Sequence, residues 1–373
     1  MKRNIRKAVT ALLLCVVTVL SALSFYGCTS KGLRFHNKDM CNILAQVFSK
    51  EVNRITEEDL ADIESVTMLT YSQSNFMGFT LKGFAEAPDE EKDKYSVTVD
   101  ITGMDLSDMS DFHYFTGLKT FIGSYVGYSS FDFLKSCTAL EEFNITGNAA
   151  CQDFSFLSAF PNLKTLSLTE CQSDNLDFLE GHENLQALYL RTFRIGDNLP
   201  SDLEFVKSLP ELTTLSVSSH WIEDLSPLVP LKKLTYLDLS YGSIEDVSPL
   251  AEMPQLTYID LTQNCVRDVS ALTTFDADSF ERIILDLNSG ITDWSALDYL
   301  NGKVQGKPTA RELEEMQREN TADSNENVQS ETETKNNSDS NDGEDVRFIP
   351  SQTDEDFEVG YGDNDIDISA FDF

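Results

Sequence analysis

Apolar and polar residues alternate along most of this chain in blocks that recur about every 22 residues. Residues 234–255 (LTYLDLSYGSIEDVSPLAEMPQ) and residues 256–272 (LTYIDLTQNCVRDVSAL) match at nearly every apolar position. A ninth, irregular block contains LDLNSGITDWSAL near Leu285. Self-similarity at this spacing is typical of a repeat protein, whose stacked copies bury one continuous core. The eight regular blocks begin at Ser96, Leu118, Leu140, Leu163, Leu185, Leu212, Leu234 and Leu256.

Each block divides into a strand and a turn. In the pattern Leu-x-x-Leu-x-Leu, apolar residues alternate with polar ones, which is the period of a strand with one buried face. Leu237 and Leu239 are therefore predicted to point into the core, and Asp238 and Ser240 to point out of it. An apolar residue then returns to the core, and Asp-x-Ser follows, whose side chains cap short helical turns. The Asp-x-Ser segments begin at Asp224, Asp246, Asp268 and Asp293.

The 22-residue step and the Asp-x-Ser-Pro-Leu turn resemble the internalin-type leucine-rich repeats of bacteria over roughly residues 55–300. The resemblance implies an α/β solenoid, a leucine-rich repeat horseshoe with a parallel sheet on the concave side and short helical or 3-10 turns on the convex side. It also implies protein–protein recognition on the concave face, without naming the partner. The position that holds Asn or Cys in such repeats is Asn148, Cys171 and Asn264 here, so the asparagine ladder is predicted to be incomplete.

The start of the chain has the pattern of an export signal. Basic residues precede a charge-free apolar run, and residues 1–27 are predicted to be a lipoprotein signal peptide. A glycine before Cys28 and polar residues after it resemble a bacterial lipobox, although Phe25 and Tyr26 depart from that motif. The resemblance implies lipidation of Cys28, a membrane anchor, and a location on the extracytoplasmic face of the bacterial cell membrane or on the cell surface. A retained membrane helix is the alternative, because the run is about long enough to span a bilayer.

A linker and a helical cap are predicted ahead of the repeats. Residues 28–62 are predicted to be a linker and a helical N-terminal cap, because apolar residues from Met40 to Phe48 recur at helical spacing. Thr56-Glu57-Glu58-Asp59 is a capping box that opens a second short helix. The repeat domain is predicted to span residues 63–300, with a degenerate first strand near Ile63 and an exposed charged insertion, APDEEKDK, ahead of Val97.

The C-terminal part is strongly acidic. Residues 301–320 are predicted to be a short helix or linker, and residues 321–373, with 16 acidic and 2 basic residues, a disordered tail or a docking motif. The whole chain has 28 basic and 63 acidic residues and a formal charge of −35. Such a field repels nucleic acid, whose phosphates are bound by Lys and Arg clusters, so nucleic acid is excluded as a partner.

Outward positions of the predicted strands are mostly small and polar, except in one region. Tyrosine and arginine dominate binding hot spots, although tyrosine also simply suits strands. The region predicts a site for a protein partner on the concave face or, as the alternative, for a glycan that stacks on tyrosine rings. We call it the tyrosine zone, and it comprises Tyr189, Arg191, His220, Trp221, Tyr236, Asp238, Tyr241, Tyr258 and Asp260.

Enzyme, cofactor and metal motifs are lacking in the sequence. It contains no His-Glu-x-x-His, no Gly-x-Ser-x-Gly and no phosphate-binding glycine loop. Asp238 and Asp260 are two acids, as in the carboxylate pair of a glycosidase, but they are predicted to lie on an open sheet. Cys265 and His220 are an unfavourable catalytic pair, because they lie two copies apart. We therefore predict a binding protein that is not an enzyme and needs no cofactor or metal, with its cysteines mostly buried as small apolar residues.

Overall fold

A computed structural model describes residues 29–30, 33–70, 74–195, 200–218, 221–309 and 311–312. The predicted signal peptide, Cys28 and the acidic tail lie outside the described residues. Most of the stretch between Thr309 and residue 320 lies outside them as well. The chain divides into two compact units, Met1–Lys307 and Pro308–Phe373, and all described strands belong to the first. Within the described ranges, no helix has the length and apolar character needed to cross a membrane.

Short strands and 3-10 turns make up most of the first unit. The strands are β1 (Thr29–Ser30), β2 (Leu33–Arg34), β3 (Ile63–Thr70), β4 (Asn75–Leu81), β5 (Ser96–Asp100), β6 (Thr120–Ser124), β7 (Glu142–Thr146), β8 (Thr165–Thr169), β9 (Gln172–Ser173), β10 (Ala187–Tyr189), β11 (Arg194–Ile195), β12 (Thr214–Ser216), β13 (Tyr236–Asp238), β14 (Tyr258–Asp260), β15 (Arg282–Ile284) and β16 (Val304–Gln305). The α-helices are α1 (Lys38–Val47) and α2 (Glu57–Ala61). The 3-10 turns are Val52–Arg54, Asp89–Lys94, Ser110–Tyr114, Asp132–Leu134, Ser155–Ala159, Asp177–Leu179, Glu204–Ser208, Ser226–Leu228, Ser248–Glu252 and Ser295–Leu300.

Twelve of these strands form one sheet, in the order β16-β15-β14-β13-β12-β10-β8-β7-β6-β3-β4-β5. From β6 to β16 every strand is parallel to the next, and equivalent residues of successive copies lie side by side. The predicted parallel leucine-rich repeat solenoid is thus confirmed. The pairs β1–β2, antiparallel, and β9–β11, parallel, form two small separate sheets.

The N-terminal end of the sheet differs from the prediction. The strand next to β6 is β3, not the predicted copy at Ser96. The predicted insertion contains, ahead of its exposed charged stretch at residues 87–94, the strand β4, which pairs antiparallel with β3 on one side and with β5 on the other. The Ser96 copy therefore lies at the outer edge of an antiparallel meander, and its outward Thr98 and Asp100 are remote from the repeat rows. Alternation of apolar residues indicates a strand with one buried face, but it does not indicate which strand lies alongside or in which direction.

Two helices precede the first long strand. The side chain of Asn37 caps α1 by accepting from the amides of Asp39 and Met40, and Thr56 and Asp59 form the predicted capping box of α2. Helix α1 lies beside β5, the edge strand of the sheet, and its buried residues are Met40, Cys41, Ile43, Leu44 and Val47. That these helices cap the solenoid stays a prediction.

A fully buried carboxylate fixes the entry of the chain into this region. The Asp111 side chain accepts hydrogen bonds from the backbone amides of His36, at 2.7 Å, and Asn37, at 2.9 Å. The His36 ring nitrogen Nδ1 lies 3.2 Å from the same carboxylate. Buried charge is tolerated only with such partners, so Asp111 ties the segment before α1 to the turn after β5.

The turns follow the predicted Asp-x-Ser pattern. Asp224 Oδ1 accepts from the Ser226 amide at 2.8 Å, and Asp293 does the same for Ser295 at 2.9 Å. These hydrogen bonds lower the pKa of both aspartates, since they favour the charged form. The leucines that close the turns, Leu228, Leu250, Leu272 and Leu297, are all buried in the core.

Candidate functional site

The outward side chains of the parallel strands form rows that run across the concave sheet face. The first outward row is Thr120, Glu142, Thr165, Ala187, Thr214, Tyr236, Tyr258 and Arg282. The second is Ile122, Asn144, Ser167, Tyr189, Ser216, Asp238, Asp260 and Ile284. The third, two residues farther along each copy, is Ser124, Thr146, Thr169, Arg191, Ser218, Ser240, Thr262 and Asp286. Large and charged side chains are therefore concentrated on β10 and on β13 to β15.

Two tyrosines at the centre of the tyrosine zone stack on each other. The rings of Tyr236 and Tyr258, register partners on β13 and β14, lie 4.4 Å apart between centroids with an interplanar angle of 6°. Both side chains are half-buried. Burial raises the pKa of Tyr236, and the neighbouring Tyr258 and Asp238 add to the rise because they disfavour a phenolate. The pair is thus a neutral, rigid aromatic surface with part of each ring open to a ligand.

Asp238 and Asp260 are register partners, yet their surroundings differ. Asp238 is only 6% exposed, although the sequence predicts that it points outward. Its Oδ2 accepts from Ser216 Oγ at 2.7 Å, and its Oδ1 accepts from the Ser240 amide and hydroxyl at 3.1 and 2.7 Å. With both oxygens occupied, Asp238 fastens neighbouring copies together.

Asp260 keeps one oxygen available. Its Oδ1 accepts from the Thr262 amide at 2.9 Å and from the Thr262 hydroxyl at 2.6 Å, and no group among the described residues donates to Oδ2. Burial raises the pKa of Asp260, and the nearby negative charges of Asp238 and Asp286 raise it further. The half-buried carboxylate therefore lies in an uncompensated negative field.

The other arm of the tyrosine zone lies on β10. Tyr189 is half-buried, and burial together with the charge of Glu142 raises its pKa. Arg191 is exposed, and its Nε donates to Ser218 Oγ at 3.3 Å. Between this arm and Tyr236 lies β12, whose outward Ser216 and Ser218 are small and buried. The structure thus places the two arms on either side of a low, serine-lined strand.

The edge at which the strands end carries exposed apolar side chains. Trp221 is 65% exposed and Tyr241 53%, and both belong to the tyrosine zone. His220, between the strand and Trp221, lies outside the described residues. Tyr241 has φ of 62°, in the left-handed region. The same conformation recurs directly after β6, β7 and β8 and three residues after the ends of β10, β13, β14 and β15, at Tyr125, Gly147, Glu170, Thr192, Tyr241, Gln263 and Leu287.

Several residues near the tyrosine zone were missed by the sequence reasoning. Arg282 lies beside Tyr258 in the first outward row, Asp286 continues the acidic side chains onto β15, and Leu287 is 69% exposed at the strand-end edge. Asn288 is also a rung of the asparagine ladder, since its Oδ1 accepts from the Val266 amide at 3.1 Å. The signal was present, because Leu-Asp-Leu-Asn repeats the Leu-Thr-Gln-Asn spacing that ends at Asn264, but the block is two residues out of step.

The cysteines among the described residues form no disulfide bonds. Cys41, Cys137, Cys151 and Cys171 are buried as predicted, and Cys265 is exposed, contrary to the general expectation. Burial raises the pKa of Cys137 and of Cys171 to about 12, so both remain thiols at neutral pH. Within the described part of the chain, no three His, Cys, Asp or Glu side chains gather as metal ligands.

The solved structures that resemble this chain include internalins of Listeria monocytogenes. Internalin inlF matches with a TM-score of 0.50 and 21% sequence identity, over 71% of this chain and 67% of its own. Internalin C2 (inlC2) matches with a TM-score of 0.47 and 24% identity, over 68% of this chain and 96% of its own. The functional domain of InlJ, which includes a cysteine ladder, matches with a TM-score of 0.46 and 18% identity, over 71% of this chain and 53% of its own. At such identity the likeness to inlF shows the leucine-rich repeat fold and nothing further.

No protein-family model and no curated protein sequence matches the chain.

Proposed function

We propose that this chain is a protein-binding lipoprotein of the bacterial cell surface whose ligand binds on the concave sheet face. The observation that carries the proposal is the stacked Tyr236–Tyr258 pair, which leaves half-exposed aromatic surface on a sheet whose other outward residues are mainly small. Rigid tyrosines supply contact area at a low cost in conformational entropy. Trp221 and Tyr241 extend this surface at the strand-end edge.

The anchor belongs to the same proposal. The basic residues, the apolar run and Cys28 support export and lipidation, which place the repeats outside the cytoplasmic membrane. Substituting Cys28→Ser should abolish incorporation of a labelled fatty acid and release the chain from the membrane fraction. Continued labelling of the Cys28→Ser variant would contradict lipidation at this residue, and membrane retention without labelling would favour the uncleaved helix.

Site-specific photo-crosslinking on intact cells tests the binding face. A photoreactive phenylalanine at Tyr258 should capture a discrete protein, and one at Glu245, an exposed residue of the turn that precedes β14, should not. Capture at Tyr258 should be lost when Tyr236 is also changed to Ala, but kept in the matched control Tyr125→Ala, which removes another exposed tyrosine. Equal capture at Tyr258 and Glu245 would place the binding surface elsewhere.

A glycan is the second candidate ligand, favoured by the flat, half-exposed tyrosine pair, on which a sugar ring can stack. The crosslinked product distinguishes the two. A protein ligand should disappear on proteolysis of the target and survive glycosidase treatment, whereas the reverse pattern would establish the glycan. Catalysis has no place in the proposal, since the acids lie on an open sheet face and Asp238 has both oxygens occupied by hydrogen bonds.

A further inference from the structure

The negative charge of the concave sheet face is concentrated on the last copies. Asp238, Asp260 and Asp286 lie on the three successive strands β13, β14 and β15 or directly after them, and among the described residues none of the three forms an ion pair. Gln305 Nε2 donates to one oxygen of Asp286, and the other Asp286 oxygen accepts from no described group. Two arginines of the same sheet face lie outside this row of carboxylates. Arg282 lies in the tyrosine row, beside Tyr258, and Arg191 is bonded to Ser218 three strands away from β14.

We propose that this part of the face, between β13 and β15, binds an arginine or lysine side chain of a basic segment of the partner protein, with its stem on Tyr258 and its charged end at Asp260 Oδ2. The inference rests on the proposed function and specifies the chemistry of its partner.

The spacing of the two groups suits such a side chain. Tyr258 and Asp260 are two residues apart on one strand and project from the same face, so they are separated by about 7 Å. An arginine or lysine stem spans that distance, with its methylene groups against the ring and its cation at the carboxylate. Asp286, on the next strand and one row farther on, adds negative charge on the side away from Tyr258. The bound cation supplies the counter-charge that these carboxylates lack among the described residues.

The occupant is a protein segment because apolar contacts surround the charged position. Tyr241 and Leu287, 53% and 69% exposed, follow the strands that flank β14, and Trp221 follows β12. A small cation reaches only the carboxylates, whereas a chain that crosses the strand ends also covers these side chains. Exposed apolar side chains grouped at one edge are typical of a protein interface.

Binding of short peptides to the full-length chain in detergent tests the proposal. The probe is fluorescent Ac-(Gly-Arg)3-NH2, followed by anisotropy, with Ac-(Gly-Glu)3-NH2 as the opposite-charge control. Asp260→Asn preserves the shape and the hydrogen bonds that the oxygen accepts from Thr262, so it should fold normally and weaken binding at least 5-fold. The matched control Glu245→Gln removes the same charge from an exposed turn and should change binding less than 2-fold. Tyr258→Ala should weaken binding as Asp260→Asn does.

Three results would overturn the inference. Equal losses in Asp260→Asn and Glu245→Gln would mean attraction by the general negative field. Unchanged binding in Asp260→Asn would remove the site. Full competition by spermine, together with no effect of Trp221→Ala and Tyr241→Ala, would mean that the site binds a small cation and not a protein segment.

The crosslinking experiment separates the two proposals. A partner that crosslinks at Tyr258 and is retained by Asp260→Asn would leave the proposed function intact while rejecting the basic segment.

Discussion

The copies that contain β6, β7, β8 and β10 and the copies that contain β12 to β15 have the same repeat but different interiors. The earlier copies are filled by a chain of phenylalanines in mutual ring contact, among them Phe121, Phe131, Phe143 and Phe156. The later copies are filled mainly by Leu, Ile and Val, with Phe275, Phe280 and Trp294 buried toward the last of them. Asn264 and Asn288 bond their turns to the neighbouring copy. One backbone path is thus stabilised in two ways.

The residue at the equivalent turn position also differs from copy to copy. An asparagine there satisfies buried backbone groups directly, and Asn264 accepts from the Ile244 amide and donates to the Leu239 and Leu261 carbonyls. In the earlier copies that position holds Val126, Asn148, Cys171 and Phe193, of which only Asn148 carries an amide side chain. Large rings fill the interior of those copies, where aromatic side chains bury the most apolar area and pair in edge-on or stacked arrangements.

The two regions also differ in the residues that they expose on the concave sheet face. Apart from Tyr189 and Arg191 on β10, the earlier copies present mainly small polar residues on the concave sheet face, whereas β13 to β15 present tyrosines and acids. A solenoid permits this separation, since each copy contacts only its neighbours and outward residues change without altering the repeat. The stacked tyrosines and the acids of the candidate site therefore lie on the later copies, and its second arm lies on the last of the earlier ones.

Removing one ring should test the aromatic interior most severely. Phe143 lies 6.0, 5.3 and 5.4 Å, between ring centroids, from Phe121, Phe131 and Phe156. Phe143→Ala should lower the free energy of unfolding by about 4 kcal/mol, because it leaves a cavity among rings that cannot collapse. Urea denaturation measures the loss. The matched core change in the later copies, Leu237→Ala, should cost about 3 kcal/mol. A larger loss for Leu237→Ala than for Phe143→Ala would contradict the expectation that the aromatic interior is the more sensitive to truncation.

The asparagine ladder is tested by two equivalent substitutions. Asn264→Ala should cost about 3 kcal/mol, because it leaves the buried Ile244 amide and the Leu239 carbonyl without their side-chain partner. Asn148→Ala should cost about 1 kcal/mol, since Asn148 donates one hydrogen bond, to the Tyr128 carbonyl, and no described group donates to its buried Oδ1. Thermal unfolding of both variants gives the comparison, and equal losses would show that Asn148 is also a full rung.

A buried histidine in the earlier copies should make the fold sensitive to acid. His182 is 3% exposed, and neither ring nitrogen has a hydrogen-bond partner among the described residues. Burial lowers its pKa below the ordinary value of 6.5, so the fold favours the neutral ring. Its contribution is complete above pH 6.5 and is lost as the pH falls toward the lower, folded-state pKa, because the unfolded chain binds the proton more readily.

Replacing this ring with a hydrocarbon side chain should therefore stabilise the protein. His182→Leu should raise the free energy of unfolding at neutral pH by about 1 to 2 kcal/mol, because it removes an unsatisfied polar group from the core. The gain should grow as the pH falls below 6.5. Exposed His113→Leu is the control and should not change the pH profile in this way. A gain for His182→Leu that is independent of pH would mean that the ring does not titrate in this range.

The smallest effect is expected in the left-handed row at the strand ends. Gly147 has φ of 65°, and a Cβ there would lie 2.1 Å from the Tyr125 ring, so Gly147→Ala should cost about 1 to 2 kcal/mol. Gln263, with φ of 52°, has the equivalent position in a later copy. Gln263→Gly should stay within about 0.5 kcal/mol, because relief of strain is offset by the entropy of glycine. Calorimetry of the two variants tests whether the row is built alike in both regions.

The sequence by itself determined the repeat, the buried positions and the turn chemistry. The 22-residue spacing from Leu118 onward fixes which residues are equivalent, and equivalent residues do lie side by side in register. The Asp-x-Ser hydrogen bonds at Asp224 and Asp293 and the capping role of Thr56 were also readable, because such hydrogen bonds join residues two or three positions apart. Each of these features depends on short-range geometry that a pattern of letters contains.

Only the tertiary structure decided the sheet order at the N-terminal end and the roles within the tyrosine zone. The Ser96 strand has the right alternation, yet β4 pairs with it and keeps it away from the repeats. Asp238 and Asp260 occupy the same position in neighbouring copies, but their neighbours across the sheet differ. Ser216, on the strand before Asp238, donates to its second oxygen, whereas Asp260 lies between Asp238 and Ile284, which donate nothing to it. Exposure and hydrogen bonding of an outward side chain depend on the residues beside it across the sheet, 22 or more positions away along the chain, and not on its own copy.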